Sequence, residues 1–570
     1  MLSDVNALPE KRRQRLLASW AGTFREQFFG RLQEAPLAVL YSELASRPNV
    51  PVNVLVGLDV LKAGHGWDDE ELYDHFLYDL QVRYALGYDG LSDGDFDLRT
   101  LYNFRRRLSQ YNLEHSVNLL ADVFVSITDQ QLSALPVQTG RQRMDSTQVA
   151  SNILLMSRLQ LLVEAIHRLH RLLGEADRLR YAALLAPYVG ETAGHYVYRV
   201  KGWSANADQL QPVAQTLSTL LQDMAPDYSQ EPAYQVAQRL FDEQCRVVEQ
   251  TAQAKANAEI SASSLQSLDD LEATYREKNR VGYKGYVANV TETCDPANPV
   301  QLITDVRVAP NTTEDGALLV AALPDLKQRT DLHTLYTDGG FGGPHSDPVL
   351  REHQVALIQT AIQGRRPDSA KLHLADFAIT QDAQGVPLAI TCPQGQTVPI
   401  TQGAKPQRFA AAFANATCET CPLYASGRCP PQPDNRRRSL RLTFSQADIE
   451  KAQRHRRSRA EHHPGRNLRA AVEATVRSLK HPFPTGKLPV RGQFRVTCLL
   501  LASALMTNVR RIHRYLAGTR SAPPEQSPQH PTAAQGGAPN SLATRCGSWR
   551  TAILTPASGP SAAYYRPLSR

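Results

Sequence analysis

Three carboxylates, Asp145, Asp338 and Glu473, stand in local settings that suit phosphodiester chemistry. Asp145 lies in the run Arg143, Met144, Asp145, Ser146, Thr147, inside a β-like stretch over 137–150. Asp338 ends a short apolar run, His333 to Thr337, and is followed by Gly339, Gly340 and Phe341. Glu473 lies on a basic helical pattern in which Arg469, Glu473, Val476 and Lys480 fall at i, i+4, i+7 and i+11 and so share one face. Cutting or transferring a phosphodiester needs an activated oxygen nucleophile and a stabilised leaving oxygen. Two divalent cations bridged by carboxylates supply both. Mg²⁺ (or Mn²⁺) prefers hard oxygen ligands and keeps several waters, so few protein ligands suffice. Two strand-end aspartates and a helical glutamate among cations therefore imply a two-ion site. Any one of these acids alone reads as a helix cap or a surface group, and Arg469 with Glu473 as a solvated i,i+4 ion pair contributing about 0.3–0.5 kcal/mol.

A second constellation is built from sulfur. Cys418 and Cys421 form a Cys-x2-Cys pair, Cys429 follows, and Cys392 lies upstream in Cys392, Pro393, Gln394, Gly395. A close thiolate pair binds from a single turn and two further thiolates close a tetrahedron, the arrangement of structural Zn²⁺ sites. The alternative is four reduced thiols in a small β insertion. The segment 375–435 is poor in large apolar residues, so zinc is expected to hold it together. His455, His462 and His463 are alternative ligands, read here as part of the basic surface. Cys245, Cys294 and Cys498 sit in helix or strand patterns and read as inert core thiols.

These groups must be carried by a scaffold of 570 residues, 42% hydrophobic and 21% charged, long enough for more than one domain and apolar enough for sizeable cores. The net charge of +7 is concentrated between Arg436 and Arg469, a run dense enough to read as a phosphate-contacting surface. Four clustered and four scattered cysteines do not form a secreted disulfide framework. The first residues lack a signal-peptide pattern, and the longest near-apolar stretch, 496–509, is too short to span a bilayer. A cytoplasmic protein without membrane association is expected.

Along the chain, residues 1–35 read as a charged helical arm and 36–130 as a helical domain. In that domain Trp67 to Leu72 forms a capped helix start, and short helices ending in the basic one around Arg105, Arg106 and Arg107 suit a helix-turn-helix-like DNA-binding unit or, equally, a plain helical packing domain. Strand character around Asp145 gives way to a helical insertion over 155–273. A strand hairpin (283–290 and 300–308), a helix to about Lys327, a strand ending at Asp338, a helix (346–353) and a strand (355–360) follow. The cysteine segment, the basic run and two helices come next. A tail over 517–570, rich in Pro, Ser, Ala, Gly and Gln, is expected to be disordered. The fold class is α/β, with an all-helical domain at the N-terminus and a catalytic domain over 137–516.

The combination resembles the DDE transposases of bacterial insertion sequences, in the group with a ribonuclease H-like catalytic domain. That group carries its third carboxylate in a Tyr-x2-Arg-x3-Glu-x6-Lys pattern. This chain has Arg466, Arg469, Glu473 and Lys480 at those spacings, with arginine in place of the tyrosine. Asp145, Ser146 and Thr147 resemble the first aspartate motif, and Thr337 to Phe341 the second. The stretches 51–58 and 98–108 resemble the helical N-terminal domain, and Thr274 to Tyr286 the approach to the second strand. The resemblance spans about 36–516. It implies a ribonuclease H-like mixed sheet, two Mg²⁺ or Mn²⁺ ions on Asp145, Asp338 and Glu473, and cleavage at element ends followed by strand transfer. It further implies double-stranded DNA as partner and a homodimer on DNA. Arg466, Arg469, Lys480, Arg105, Arg106, Arg107, Arg436, Arg437 and Arg438 are the expected DNA contacts. The rival readings are a metal nuclease that cuts without joining and a non-catalytic zinc-containing DNA-binding protein.

Overall fold

Nine consecutive residues of β-branched, polar and long side chains make Arg141–Val149 an extended strand, β1, on which the rest of the fold is assembled. In the computed structural model the described residues are 3–41, 50–200, 203–278, 280–360, 362, 368, 370–382, 385–403, 405–434, 439–460, 468–483 and 486–521. By contacts, Met1–Arg520 forms one compact unit and Ser521–Arg570 a second, whose residues from 522 onward lie outside the described part. The tail expected to be disordered therefore falls outside it, and the preceding helix, Gln493–Ser521, runs past the expected 517 boundary.

A hairpin of Cys245–Val248 (β2) and Thr251–Ala254 (β3) follows β1 in the chain, and then the strands of the main sheet resume. These are Thr274–Lys278 (β4), Val281–Thr293 (β5), Ile303–Pro310 (β6), Thr334–Thr337 (β7) and Ala356–Gln359 (β8). The sheet runs β4-β5-β1-β7-β8, with β6 also paired to β5. β5 is antiparallel to β1, β4 and β6, whereas β7 is parallel to β1 and β8 to β7. The order of elements after Asp145 is thus the expected one: strand, insertion, hairpin, helix, strand, helix, strand. The result is a mixed α/β architecture.

Helices cover both faces. The helix Asp315–Arg329 packs Leu319, Leu323 and Leu326 against Met144, Leu335 and Leu357 on one face. On the other, Val290, Ile303 and Val306 share a core with Val472 and Leu479 of the helix Ala470–Lys480 and with Leu500 and Met506 of the helix Gln493–Ser521. The helices Val52–His65, Asp69–Tyr78 and Leu98–His115 add Leu55, Phe76 and Phe104 to that same core. Asp68 and Glu71 form the expected capping box, each side chain accepting from the other's backbone N–H.

Four expectations are corrected here. Residues 3–35 are no free arm: Val5, Ala21, Phe24 and Phe28 are buried in the shared core, because this short charged stretch carries apolar residues at helical spacing. The α-helical structure in the insertion stops at Gln244 rather than near Ala273, and only the short 3-10 turn Asn257–Glu259 follows. Cys245, Arg246, Val247 and Val248 are extended, and Glu249 and Gln250 turn the hairpin with φ of 48° and 63°. Arg105 is half-buried and already paired, since Asp59 and Asp69 hold its guanidinium at 2.6 and 2.8 Å. The cysteine segment is not short of a core. Its strands Ala378–Gln381 (β9), Pro387–Thr391 (β10), Thr397–Gln402 (β11), Arg408–Ala414 (β12), Gln432–Asp434 (β13) and Ser439–Ser445 (β14) form a sheet in the order β13-β14-β12-β11-β10-β9. Phe377, Ile390, Phe413, Leu440 and Phe444 fill it, two of them lying outside the 375–435 window, beyond its C-terminal end.

Candidate active site

Strand alternation sends the odd-numbered side chains of β1 toward the helix Ala470–Lys480 and the even-numbered ones toward the helix Asp315–Arg329. Asp145 is therefore on the Ala470–Lys480 side. The parallel register of β1 and β7 matches Arg141 with Thr334 and Arg143 with Tyr336. Carried two residues further, the same register sets Asp145 level with Asp338, the first residue after β7. Two strands that run in the same direction thus carry their carboxylates at one height, Asp338 just past the end of β7 and Asp145 in the middle of β1 rather than at the strand end expected for it. Asp338 is held by the Gly340 N–H, which donates to its Oδ1 at 2.8 Å, and Gln359 on β8 donates to its backbone carbonyl at 3.2 Å.

Glu473 is joined to this point through Arg469 because its helix is fastened along β1. Arg143 donates to the carbonyl of Leu468 at 2.8 Å, just before the helix begins. Arg469 donates to Asp145 Oδ2 at 3.1 Å. Lys480, at the far end, donates to the Thr147 hydroxyl at 2.7 Å and to the Gln148 carbonyl at 3.0 Å. Beneath the helix the Glu292 carboxylate, with a side chain 0% exposed, accepts from Arg143 and Arg511, both at 2.6 Å, and from the Thr475 hydroxyl at 2.8 Å. These bonds fix the rotation of the helix about its axis, and so decide that the Arg469–Glu473–Lys480 face meets the strand ends.

Arg469 links two of the three carboxylates, standing 3.1 Å from Asp145 and 3.1 Å from Glu473. Glu473 is open to solvent with a side chain 60% exposed, and Asp145 is enclosed at 9%. Burial raises the Asp145 carboxyl above the ordinary aspartate range; Arg469 and the Ser146 N–H oppose the rise and the neighbouring Asp338 adds to it. Burial also lowers the Lys480 ammonium. Asp145 thus lies where a positive charge is needed, and the Arg469 guanidinium is the cation that stands there. Three carboxylates make a hard oxygen donor set, the chemistry that Mg²⁺ or Mn²⁺ requires. Among the described residues, no three His, Cys, Asp or Glu side chains are already drawn together as ligands.

Sequence reading missed a fourth carboxylate. Ser146, on the opposite side of β1 from Asp145, donates to Asp315 Oδ1 at 2.7 Å. Asp315 opens the helix Asp315–Arg329, and its Oδ2 lies 2.5 Å from where a Cβ on Gly340 would stand, with Asp338 Oδ1 3.3 Å from the same point. A side chain at 340 would displace one of these acids, so glycine is what lets them approach. The available signals were Asp315 in the first helical turn after the hairpin and a glycine two residues beyond Asp338. Glu292 was missed as well, since an acid in the middle of a strand shows its partners only in three dimensions.

The cysteine segment sets its four thiols around one cavity without drawing three of them into ligand distance of a common point. Cys392, Cys418, Cys421 and Cys429 all line a cavity of about 50 Å³. None is in a disulfide. The turn after Cys392 closes with the Gly395 N–H on the Cys392 carbonyl, and the Cys421 N–H donates to the Cys418 carbonyl, so both turns face the cavity. Burial, Cys421, Cys418 and Cys392 push the Cys429 thiol up to about 11, and burial, Cys421 and Cys392 raise Cys418.

The remaining predicted contacts divide. Arg106 and Arg107 are exposed on the helix Leu98–His115, Arg107 lying 4.7 Å over the Tyr41 ring. Arg105, as described, is held by Asp59 and Asp69. Arg436, Arg437, Arg438 and Arg466 lie outside the described residues. Among the described residues no helix is long and apolar enough to cross a membrane.

Residues 391–513 match the family model described as "Transposase DDE domain". The match takes in Arg469, Glu473, Lys480 and the four clustered cysteines, and supports an insertion-sequence DDE transposase. Comparison with curated proteins and with solved structures gives no match.

Proposed function

We propose that the chain is an insertion-sequence DDE transposase, which cuts DNA at the ends of a mobile element and joins the freed ends to target DNA, with Asp145, Asp338 and Glu473 as its catalytic carboxylates. The observation that carries the reading is the parallel register of β1 and β7, which when extended two residues sets Asp338 level with Asp145, with Arg469 joining Asp145 to Glu473. The sheet order, with β5 antiparallel to β1 on one side and β7 and β8 parallel to it on the other, supports a ribonuclease H-like domain.

Asp145, Asp338 and Glu473 would hold two Mg²⁺ or Mn²⁺ ions. When bound, such ions activate the attacking oxygen and stabilise the leaving one. The chain's own residues set the frame for that chemistry. The register of β1 and β7 holds two carboxylates at one height. The Glu292 network holds the third on a helix that does not rotate, and Arg469 offsets the acids' mutual repulsion. In cleavage a water oxygen bonds to phosphorus as the bond to the 3′ oxygen breaks, and that oxygen leaves as a hydroxyl. In joining the freed 3′ hydroxyl takes the water's place on a target phosphodiester, displacing the target's own 3′ oxygen. Neither displacement needs a covalent protein intermediate. Arg106, Arg107, Arg469, Lys480, Arg466 and Arg436 to Arg438 are proposed to contact DNA, which the protein would bind as a homodimer in the cytoplasm. Incubating the chain with Mg²⁺, a labelled element end and plasmid tests the reading. Nicked and plasmid-joined products are expected; nicking without joining would support the nuclease alternative, and no cleavage would refute catalysis.

A structural Zn²⁺ is proposed on Cys392, Cys418, Cys421 and Cys429, four soft donors on one cavity. Purified protein is expected to carry about one zinc per chain, as a tetrahedral four-thiolate site does. Cys418→Ser should lose most of that metal and lower the thermal midpoint, by metal analysis and calorimetry. Zinc-free protein with an unchanged midpoint would show that the apolar core of this sheet suffices.

A further inference from the structure

On the side of the Glu473 helix that faces away from Asp145, an open groove of about 760 Å³ runs between that helix and Gln493–Ser521. Its floor is the stripe Ala471, Ala474, Thr475 and Ser478, at i, i+3, i+4 and i+7. This stripe lies about half a turn around the helix from Arg469, Glu473 and Lys480. Four arginines line the groove: Arg143, Arg510, Arg511 and Arg514. Arg143 and Arg511 share the single buried carboxylate of Glu292. Arg510 and Arg514 form no ion pair among the described residues; Arg514 donates only to the Arg510 carbonyl, at 3.3 Å. Arg510 is half-buried, and burial together with the nearby Arg514 lowers its guanidinium. The lining therefore carries four positive charges, with the one buried carboxylate of Glu292 beneath it.

Two like charges facing one concave, partly desolvated space raise its potential and draw in an anion. The wall opposite them is made of small side chains, two alanines and a serine, while Tyr515 and Val300 stand at other points of the lining. Small side chains let a polyanion's backbone come close to both guanidiniums. We propose that this groove binds the phosphodiester backbone of duplex DNA, at a segment other than the one being cut, because the helix stands between the groove and the carboxylates. The proposal rests on the transposase reading and adds to it a second DNA track, whose cations are Arg510 and Arg514.

The test compares wild type with the Arg510→Gln/Arg514→Gln double variant by fluorescence anisotropy on a labelled duplex of arbitrary sequence, over a range of salt concentrations. Each phosphate contact contributes about 0.9 to the slope of log affinity against log salt, so the variant's slope should be shallower by about 2. An unchanged slope overturns the groove alone. Absence of salt-dependent binding by wild type overturns the transposase reading and the groove with it. A labelled polyglutamate peptide is the comparison arm: if it loses affinity in the variant and the duplex does not, the groove serves an acidic protein and the proposal fails. Ala474→Cys carrying a photocrosslinker on the otherwise unaltered chain removes dependence on the variant's folding. Crosslinking to duplex is expected, and a failure to crosslink under saturating DNA overturns the proposal.

Discussion

Asp145→Asn is expected to lower Mg²⁺-dependent strand cleavage by about a thousandfold or more, with the fold intact. Asparagine keeps the shape but only one of the two oxygens that now accept from the Ser146 N–H and from Arg469 at 3.0 and 3.1 Å, so one of these hydrogen bonds is retained and the other is lost. What disappears is the negative charge beside Asp338. Charge stabilisation by bridged cations is worth several kcal/mol at the transition state, and each ~1.4 kcal/mol is a factor of ten in rate. Stability should move the other way or not at all: burial already raises the Asp145 carboxyl, so an uncharged side chain there avoids a desolvated anion. The two readouts separate catalysis from folding. A variant that cleaves at the wild-type rate, with its melting curve unchanged, would remove Asp145 from the catalytic assignment.

Glu292→Ala is expected to cost the most stability of any single change at the site. The carboxylate is fully enclosed, with a side chain 0% exposed, and its partners Arg143 and Arg511 are only 10% and 17% exposed. Deleting it leaves two guanidiniums without their counterion in a place water barely reaches. Breaking a buried pair from one side costs about 3–5 kcal/mol. It also frees Thr475, whose hydroxyl donates to Glu292 while accepting from Arg511 at 2.5 Å. Chemical denaturation should show that loss as a lower midpoint, and cleavage should fall because the Glu473 helix is no longer held against β1. An unchanged denaturation midpoint would mean that apolar contacts of Val472, Val476 and Leu479 hold the helix unaided.

Much of the scaffold was legible because local pattern and local structure coincide. The alternating runs at 283–290 and 300–308, divided by Asp295, Pro296, Asn298 and Pro299, could hardly avoid forming a hairpin, and β5 and β6 are that hairpin. The Asp338 run ended as a strand for the same reason. The spacing of Arg469, Glu473 and Lys480 set them on one helical face before any fold was known. Misreadings arose where short patterns compete. Charged residues hid the apolar stripe that buries Phe24 and Phe28, and a long helical trend concealed the extended Cys245–Val248 segment.

Arg105 shows the limit most clearly. Three consecutive arginines on one helix look equivalent in one dimension, yet successive residues point about 100° apart. The first meets Asp59 and Asp69 on neighbouring helices, while the next two meet solvent. The groove beside the Glu473 helix is of the same kind. Arg510 and Arg514 are two cations on a long helix until Ala471, Ala474 and Ser478 are brought opposite them.

By itself the sequence determined which residue types were present for metal and phosphate chemistry, and the strands and helix that carry them, because periodicity and side-chain chemistry are local properties. Tertiary structure alone decided that Asp145 and Asp338 stand level, that Arg469 lies between Asp145 and Glu473, and that Asp315 closes on Gly340. Those relations depend on strand register and on the rotation of one helix, set by buried partners such as Glu292 that lie far along the chain from the residues they align.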